Sequence, residues 1–302
     1  MIALVFDGTL EGLMSAVFFA YEKHVNPQDI IAQGIVQPRL DQQIVVVKTD
    51  FDHAVRVRRG IERSCGEAAW WSVAKASAAD DPKSPLIVYR FIRYALARDS
   101  SSSCKGCKKR AICKSACARP HSSGILSEAA HPHVEPLLRL EKRVQNEIYH
   151  MEQFIRFEHA QDDMWVARCN PNASVVPFIM DWFARRFNTQ RFMIFDETHH
   201  IAGISEGGSW SLVSTDGIPE PKHTREEALM QDAWKRFYNA LTIDARYNPE
   251  LRRHFMPMRL WRNITEVKTV LPYSAETSED STPVLSNAGI KLSCAAPPSC
   301  QK

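Results

Sequence analysis

Phe154-Ile-Arg-Phe-Glu-His-Ala-Gln-Asp-Asp-Met-Trp-Val-Ala-Arg-Cys169 reads as a β-hairpin. Its first half alternates in the period of two that a half-buried strand requires. Gln161-Asp162-Asp163 supplies turn chemistry, and residues 164–169 form the partner strand. Downstream, Asn170-Pro171-Asn172 punctuates the chain, residues 175–187 read as a helix, and residues 191–195 and 203–213 read as further strands. Helical spacing returns after Arg225, with Trp234, Phe237, Tyr238 and Leu241 on one face.

Upstream of the hairpin, residues 2–6 read as a strand. Asp7-Gly8-Thr9 is a turn in which Asp7 or Thr9 caps a helix over 11–23. Asn26-Pro27 ends that helix, and residues 44–48 read as a second strand. The spacing predicts one long helix over about 52–76, with Trp70 and Trp71 closing a core. Pro82 and Pro85 interrupt it before an aromatic helix over 87–97. Leu137, Leu140, Val144, Ile148 and Met151 mark another helix. Short antiparallel strands among helices, without regular strand–helix–strand alternation, predict an α+β fold carrying a cysteine-rich metal-binding insert. The expected organisation is an N-terminal α+β part over 1–98, the insert over 99–133, a C-terminal α+β part of the same domain over 134–271, and a disordered tail over 272–302.

The net charge is only +3, so bulk charge does not mark a nucleic-acid binder. The charge is unevenly placed. Residues 104–119 carry +6 from Lys105, Lys108, Lys109, Arg110, Lys114 and Arg119 with no acid, and residues 246–263 carry +4, which leaves −7 for the rest. Concentrated positive charge attracts phosphate. In the second segment, Arg246, Arg252, Arg253, Arg259 and Arg262 mingle with Tyr247, Phe255 and Trp261. That mixture suits phosphate clamping and base stacking, and equally a solvated helix face with buried aromatics. Lys108, Lys109 and Arg110 are the corresponding candidates in the first segment.

Cys104, Cys107, Cys113 and Cys117 follow C-x2-C-x5-C-x3-C. Four thiolates so close in sequence converge on one centre at little loop-closure cost. They suit Zn2+ or an iron–sulfur cluster, and the alternative is a loop with free thiols. The opening residues lack a basic leader and no apolar run approaches bilayer length, so the expected compartment is the cytoplasm, where thiols stay reduced.

Other constellations are weaker. Glu147 and His150 form E-x-x-H, as do Glu197 and His200. Facing helices can build di-iron sites from such pairs, but the second pair falls in a turn, which favours structural histidines. Asp7, Glu11, Asp162, Asp163 and Asp196 are carboxylates that a metal-dependent nuclease could use, though several sit where turns and caps want acids. The phosphate-loop, H-E-x-x-H and G-x-S-x-G signatures are absent.

Two resemblances add to this reading. The cysteine spacing is similar to that of auxiliary-cluster domains attached to radical S-adenosylmethionine (radical SAM) enzymes. That implies a [4Fe–4S] cluster, with a distant cysteine such as Cys169 as a possible recruit, while the C-x3-C-x2-C motif that generates the radical is missing. Outside the insert, four stretches carry a second likeness. They are Phe6-Asp-Gly-Thr-Leu-Glu-Gly12, the run from Glu147 to Phe157, Trp182 to Phe187 leading into Ile194-Phe-Asp196, and Trp234 and Tyr238 followed by Ala245 to Trp261. Together they resemble a bacterial family of DNA-metabolism or DNA-repair proteins whose members accompany a radical SAM protein and are sometimes fused to a uracil-DNA-glycosylase-like domain. A histidine is usual in that family where Trp182 stands, and arginine is common near His199. The resemblance implies a part in a DNA repair or modification system, and the absence of a recognisable catalytic constellation favours a non-catalytic DNA-binding or partner component of it. The resemblance carries no catalytic residues across, so a nuclease-like or glycosylase-like enzyme is the alternative.

Overall fold

The computed structural model describes residues 2–34, 41–99, 124–161, 163–218, 223–246 and 248–267. The four clustered cysteines, Lys108, Lys109, Arg110, Asp162, Tyr247 and the tail beyond 267 lie outside the described residues. The chain is a mixed α and β protein that divides into two compact units, Met1–Asn146 and Glu147–Lys302. The division falls inside a helix, not in the cysteine-rich segment.

In the first unit, β1 (Ile2–Phe6) is the centre of a three-stranded sheet, flanked by β2 (Asp29–Ala32) and β3 (Gln43–Val46). Both pairings are parallel, with Ala3 opposite Asp29 and Ile2 opposite Gln43. This corrects the expectation of antiparallel strands throughout. β2 and β3 have four residues each, too few to display a period, and strand direction comes from the crossover, here α1 (Leu10–Glu22) between β1 and β2. Thr9 caps α1 by accepting the Gly12 amide at 2.9 Å. The helix expected over 52–76 is two helices, α2 (Phe51–Cys65) and α3 (Glu67–Ser77). Gly66, at φ 92°, breaks them apart in a conformation that costs a side-chain-bearing residue far more. Trp70 joins the core as expected, whereas Trp71 is 41 % exposed and donates to Glu67. α4 (Ser84–Asp99) follows, with Pro85 tolerated in its first turn. α5 (Glu135–Phe154) then buries Leu137, Leu140, Val144, Ile148 and Met151.

The second unit holds a five-stranded sheet in the order β4-β5-β6-β7-β8, formed by Phe157–Ala160, Met164–Cys169, Phe192–Asp196, Ile201–Glu206 and Ser209–Ser214. The expected hairpin forms but starts later, because α5 runs on through Phe154 and β4 begins at Phe157, opposite Ala167. One pair, β5 with β6, is parallel, and α6 (Val176–Arg186) crosses between the two strands. Ile179, Met180 and Phe183 of α6 are buried. A Cβ on Gly203 of β7 would lie 2.3 Å from Met180 Sδ, so glycine permits the close helix–sheet approach. Gly207 and Gly208, both at positive φ, form the two-residue turn of the β7–β8 hairpin. α7 (Arg225–Leu241) is capped by Thr224, which accepts the Glu227 amide at 3.1 Å. Asn248 caps the short α8 (Pro249–Phe255), and a 3-10 segment, Met258–Asn263, follows. Among the described residues, no helix is long and apolar enough to cross a membrane.

Candidate nucleic-acid interface

The parallel β5–β6 pair ends with Cys169 opposite Asp196. Polar side chains gather beyond these two ends because the strands stop there and the following turns bring acids and amides together. Asp196 is fully buried. Its Oδ1 accepts the amides of Thr198 and His199 at 2.9 and 3.1 Å, and its Oδ2 lies 2.6 Å from His199 Nδ1. Burial, reinforced by the charges of Asp196 and Glu147, pushes the Cys169 thiol well above its ordinary range. The clustered cysteines that the auxiliary-cluster likeness would join to Cys169 lie outside the described residues.

The 3-10 segment brings two arginines to this polar end. Leu260, Trp261 and Ile264 are buried and anchor the segment, and Trp261 Nε1 donates to the Met256 carbonyl at 3.0 Å. Arg259 Nη2 then donates to Glu147 Oε2 at 2.6 Å, and the Asn172 amide donates to Glu147 Oε1 at 2.9 Å. His150 stands 3.6 Å from the same glutamate. Arg262 pairs with Glu197, which Arg168 approaches at 3.5 Å and Asn170 reaches at 2.9 Å. Asn263 donates to Asn170 at 2.9 Å. The glutamates of both E-x-x-H motifs thus serve as anchors for arginine. No sequence signal linked Glu147 to Arg259, because the partners are 112 residues apart.

The remaining arginines are not equivalent. Arg246 and Arg253 are exposed, and Arg252 lies over the Trp261 ring with its guanidinium carbon 4.7 Å from the centroid. Arg246 and Arg252 line one open cavity of about 310 Å3 with Tyr238, Leu241, Ile243 and Asn248. This cavity was not foreseen, although the Trp234–Leu241 spacing and the arginine run each pointed at one wall of it. α7 is fastened beside it: Trp234 Nε1 donates to Glu266 Oε2 at 3.0 Å, and Arg156 donates to Glu266 Oε1 at 3.1 Å. Burial raises the Glu266 carboxyl's pKa, but a backbone amide, Trp234 and Arg156 outweigh it and hold the group below its ordinary 4.5.

The other sequence candidates are dispersed. Asp7 sits at the end of β1 in the first unit. Its carboxylate accepts the Thr9 amide and hydroxyl at 2.9 and 2.6 Å and the Thr49 hydroxyl at 2.6 Å. Burial opposes ionisation there, but those hydrogen bonds prevail and lower its pKa. Asp7 is thereby committed to tying the end of β1 to the chain after β3. Glu11 lies in the first turn of α1, and Asp163 pairs with His159 at 3.0 Å. Among the described residues, no three His, Cys, Asp or Glu side chains converge as a metal site.

No curated protein matches this chain. A family match begins at Lys108, inside the cysteine-rich segment, and takes in three of the four stretches singled out above, leaving Phe6–Gly12 outside it. That match covers residues 108–266, more than half of the 302 residues, and the chain therefore belongs to the family described as a domain of unknown function, DUF4130.

Proposed function

We propose that this chain is a non-catalytic DNA-binding component of a cytoplasmic DNA repair or modification system, acting with a radical SAM protein. One observation carries the DNA-binding part of the reading. Arg246 and Arg252 line a single open cavity beside Tyr238, and Arg253 stands exposed next to Arg252. Guanidinium groups around an open aromatic-sided cavity suit a phosphodiester chain. The system and the radical SAM partner rest on the sequence likeness alone. In the same reading, Cys104, Cys107, Cys113 and Cys117 hold a [4Fe–4S] cluster or Zn2+, and Lys108, Lys109 and Arg110 add phosphate contacts.

The test is a gel shift across a salt series. Salt-dependent retardation of DNA without turnover supports the proposal, and no retardation at low salt defeats it. Anaerobic purification followed by elemental analysis tests the cysteine assignment. Iron or zinc that disappears on replacing Cys104 and Cys107 with Ser supports it, and metal-free protein ends it. Broad visible absorption distinguishes iron–sulfur from zinc.

A second reading, an enzyme acting on nucleic acid, has one specific observation in its favour. The buried Asp196 carboxylate holds His199 Nδ1 at 2.6 Å, an arrangement that can fix an imidazole tautomer for proton transfer. Strand cleavage or base release that is lost on His199→Ala supports this alternative.

A further inference from the structure

We infer that the DNA taken by the α7–α8 face is single-stranded, its bases stacking on the exposed rings of α7 and α8 while Arg246, Arg252 and Arg253 hold its phosphates. The inference rests on the DNA-binding reading above and specifies the substrate of that site. α7 turns its apolar residues to water. Trp234, Phe237 and Leu241 are 42 %, 54 % and 63 % exposed, and Phe255 on α8 is 67 % exposed. A face of this kind gains free energy when it is covered.

Three features select an unpaired strand as the occupant. First, the face is aromatic and held in place. The rings of Trp234 and Phe237 lie with centroids 5.8 Å apart, and the hydrogen bond from Trp234 to Glu266 fixes the indole. A platform already in position loses little side-chain entropy when a base stacks on it. Second, length and direction match. Trp234 to Leu241 runs about 10 Å along the helix, roughly three stacked bases at about 3.4 Å each, and the run ends on the cavity lined by Arg246 and Arg252. Third, residues 246–255 carry Arg246, Arg252 and Arg253 against Glu250 alone, a locally positive run that attracts a polyanion. Duplex DNA presents phosphates and base edges but keeps its base faces stacked. It can use the arginines and cannot use the rings.

The experiment is fluorescence anisotropy on the full chain, with labelled oligothymidine as the single strand and the same strand annealed to oligodeoxyadenosine as the duplex. Sedimentation velocity is run alongside. The single strand is expected to bind at least about tenfold more tightly than the duplex, Phe237→Leu to lower its affinity about tenfold, and Phe237→Tyr to keep it. Leucine preserves apolar area and removes only the stacking surface, so a loss with leucine separates base stacking from general apolar docking. Equal or tighter binding of the duplex overturns this inference and leaves the DNA-binding proposal standing. An unchanged affinity in Phe237→Leu, with concentration-dependent self-association through this face, also overturns it and makes the face a protein interface. Binding to neither probe defeats this inference and the proposal together.

Discussion

The arginines of residues 246–262 divide between two regions that behave differently. At the polar end of β5 and β6, Arg259 and Arg262 are drawn to Glu147 and Glu197. Beside α7 and α8, Arg246 and Arg253 meet water and Arg252 rests on Trp261. In sequence these five residues form one basic run. The structure pairs two of them with carboxylates, lays Arg252 on Trp261 and leaves Arg246 and Arg253 exposed. A basic segment's charge is therefore not its binding charge, since carboxylates brought from distant parts of the chain neutralise some of it.

The largest expected effect breaks the first region. Glu147 is 6 % exposed, and Arg259→Ala removes the guanidinium paired with its carboxylate, costing about 3–5 kcal/mol of stability. Urea unfolding followed by circular dichroism checks this. Replacing both partners, Glu147→Leu with Arg259→Met, should recover most of the loss. A double variant no more stable than Arg259→Ala would mean that the pair is not what the segment depends on.

The second region should respond in the opposite sense. Arg246→Glu with Arg253→Glu is expected to leave the unfolding midpoint nearly unchanged, because exposed side chains contribute little to stability. DNA affinity at moderate salt should fall at least about tenfold, with a shallower salt slope, since two phosphate contacts are removed. Stability lost with affinity retained would reverse the assignment of the two regions.

A smaller effect connects α7 to pH. The folded Glu266 carboxyl titrates below its ordinary 4.5. Its stabilisation is therefore complete above 4.5 and is lost as pH falls through the lower folded value. Tryptophan emission should shift as Trp234 loses its acceptor in that acidic window, and Glu266→Gln should abolish the dependence there. The smallest effect is expected from Arg262→Ala. The Arg262 side chain is 56 % exposed, so its pairing with Glu197 contributes at most about 1 kcal/mol.

Legibility varied with the range of the interactions concerned. The β4–β5 hairpin and helices α1 and α6 could be read because their signals are local: alternation, turn residues and apolar spacing. The α2–α3 break was missed because apolar spacing continues across Gly66, and only its positive φ marks the boundary. β2 was missed because Asp29-Ile-Ile-Ala32 is too short to carry a pattern. At the candidate interface, the aromatic face of α7 and the arginine run were both visible. Their meeting around one cavity was not, nor was the inward turn of Arg259.

Where charge is concentrated, which helices have an apolar face, where the hairpin turns and the ligand spacing of four cysteines are all legible along the chain alone. These are properties of neighbours along the chain, set by backbone preference and side-chain periodicity. Folding in three dimensions set the parallel direction of the first sheet, the burial of Cys169, and which arginines pair with carboxylates. Each of those outcomes depends on partners far apart in sequence, Glu147 and Arg259 being 112 residues apart. Such partners meet only when packing has fixed the elements that carry them, and no local pattern encodes that meeting.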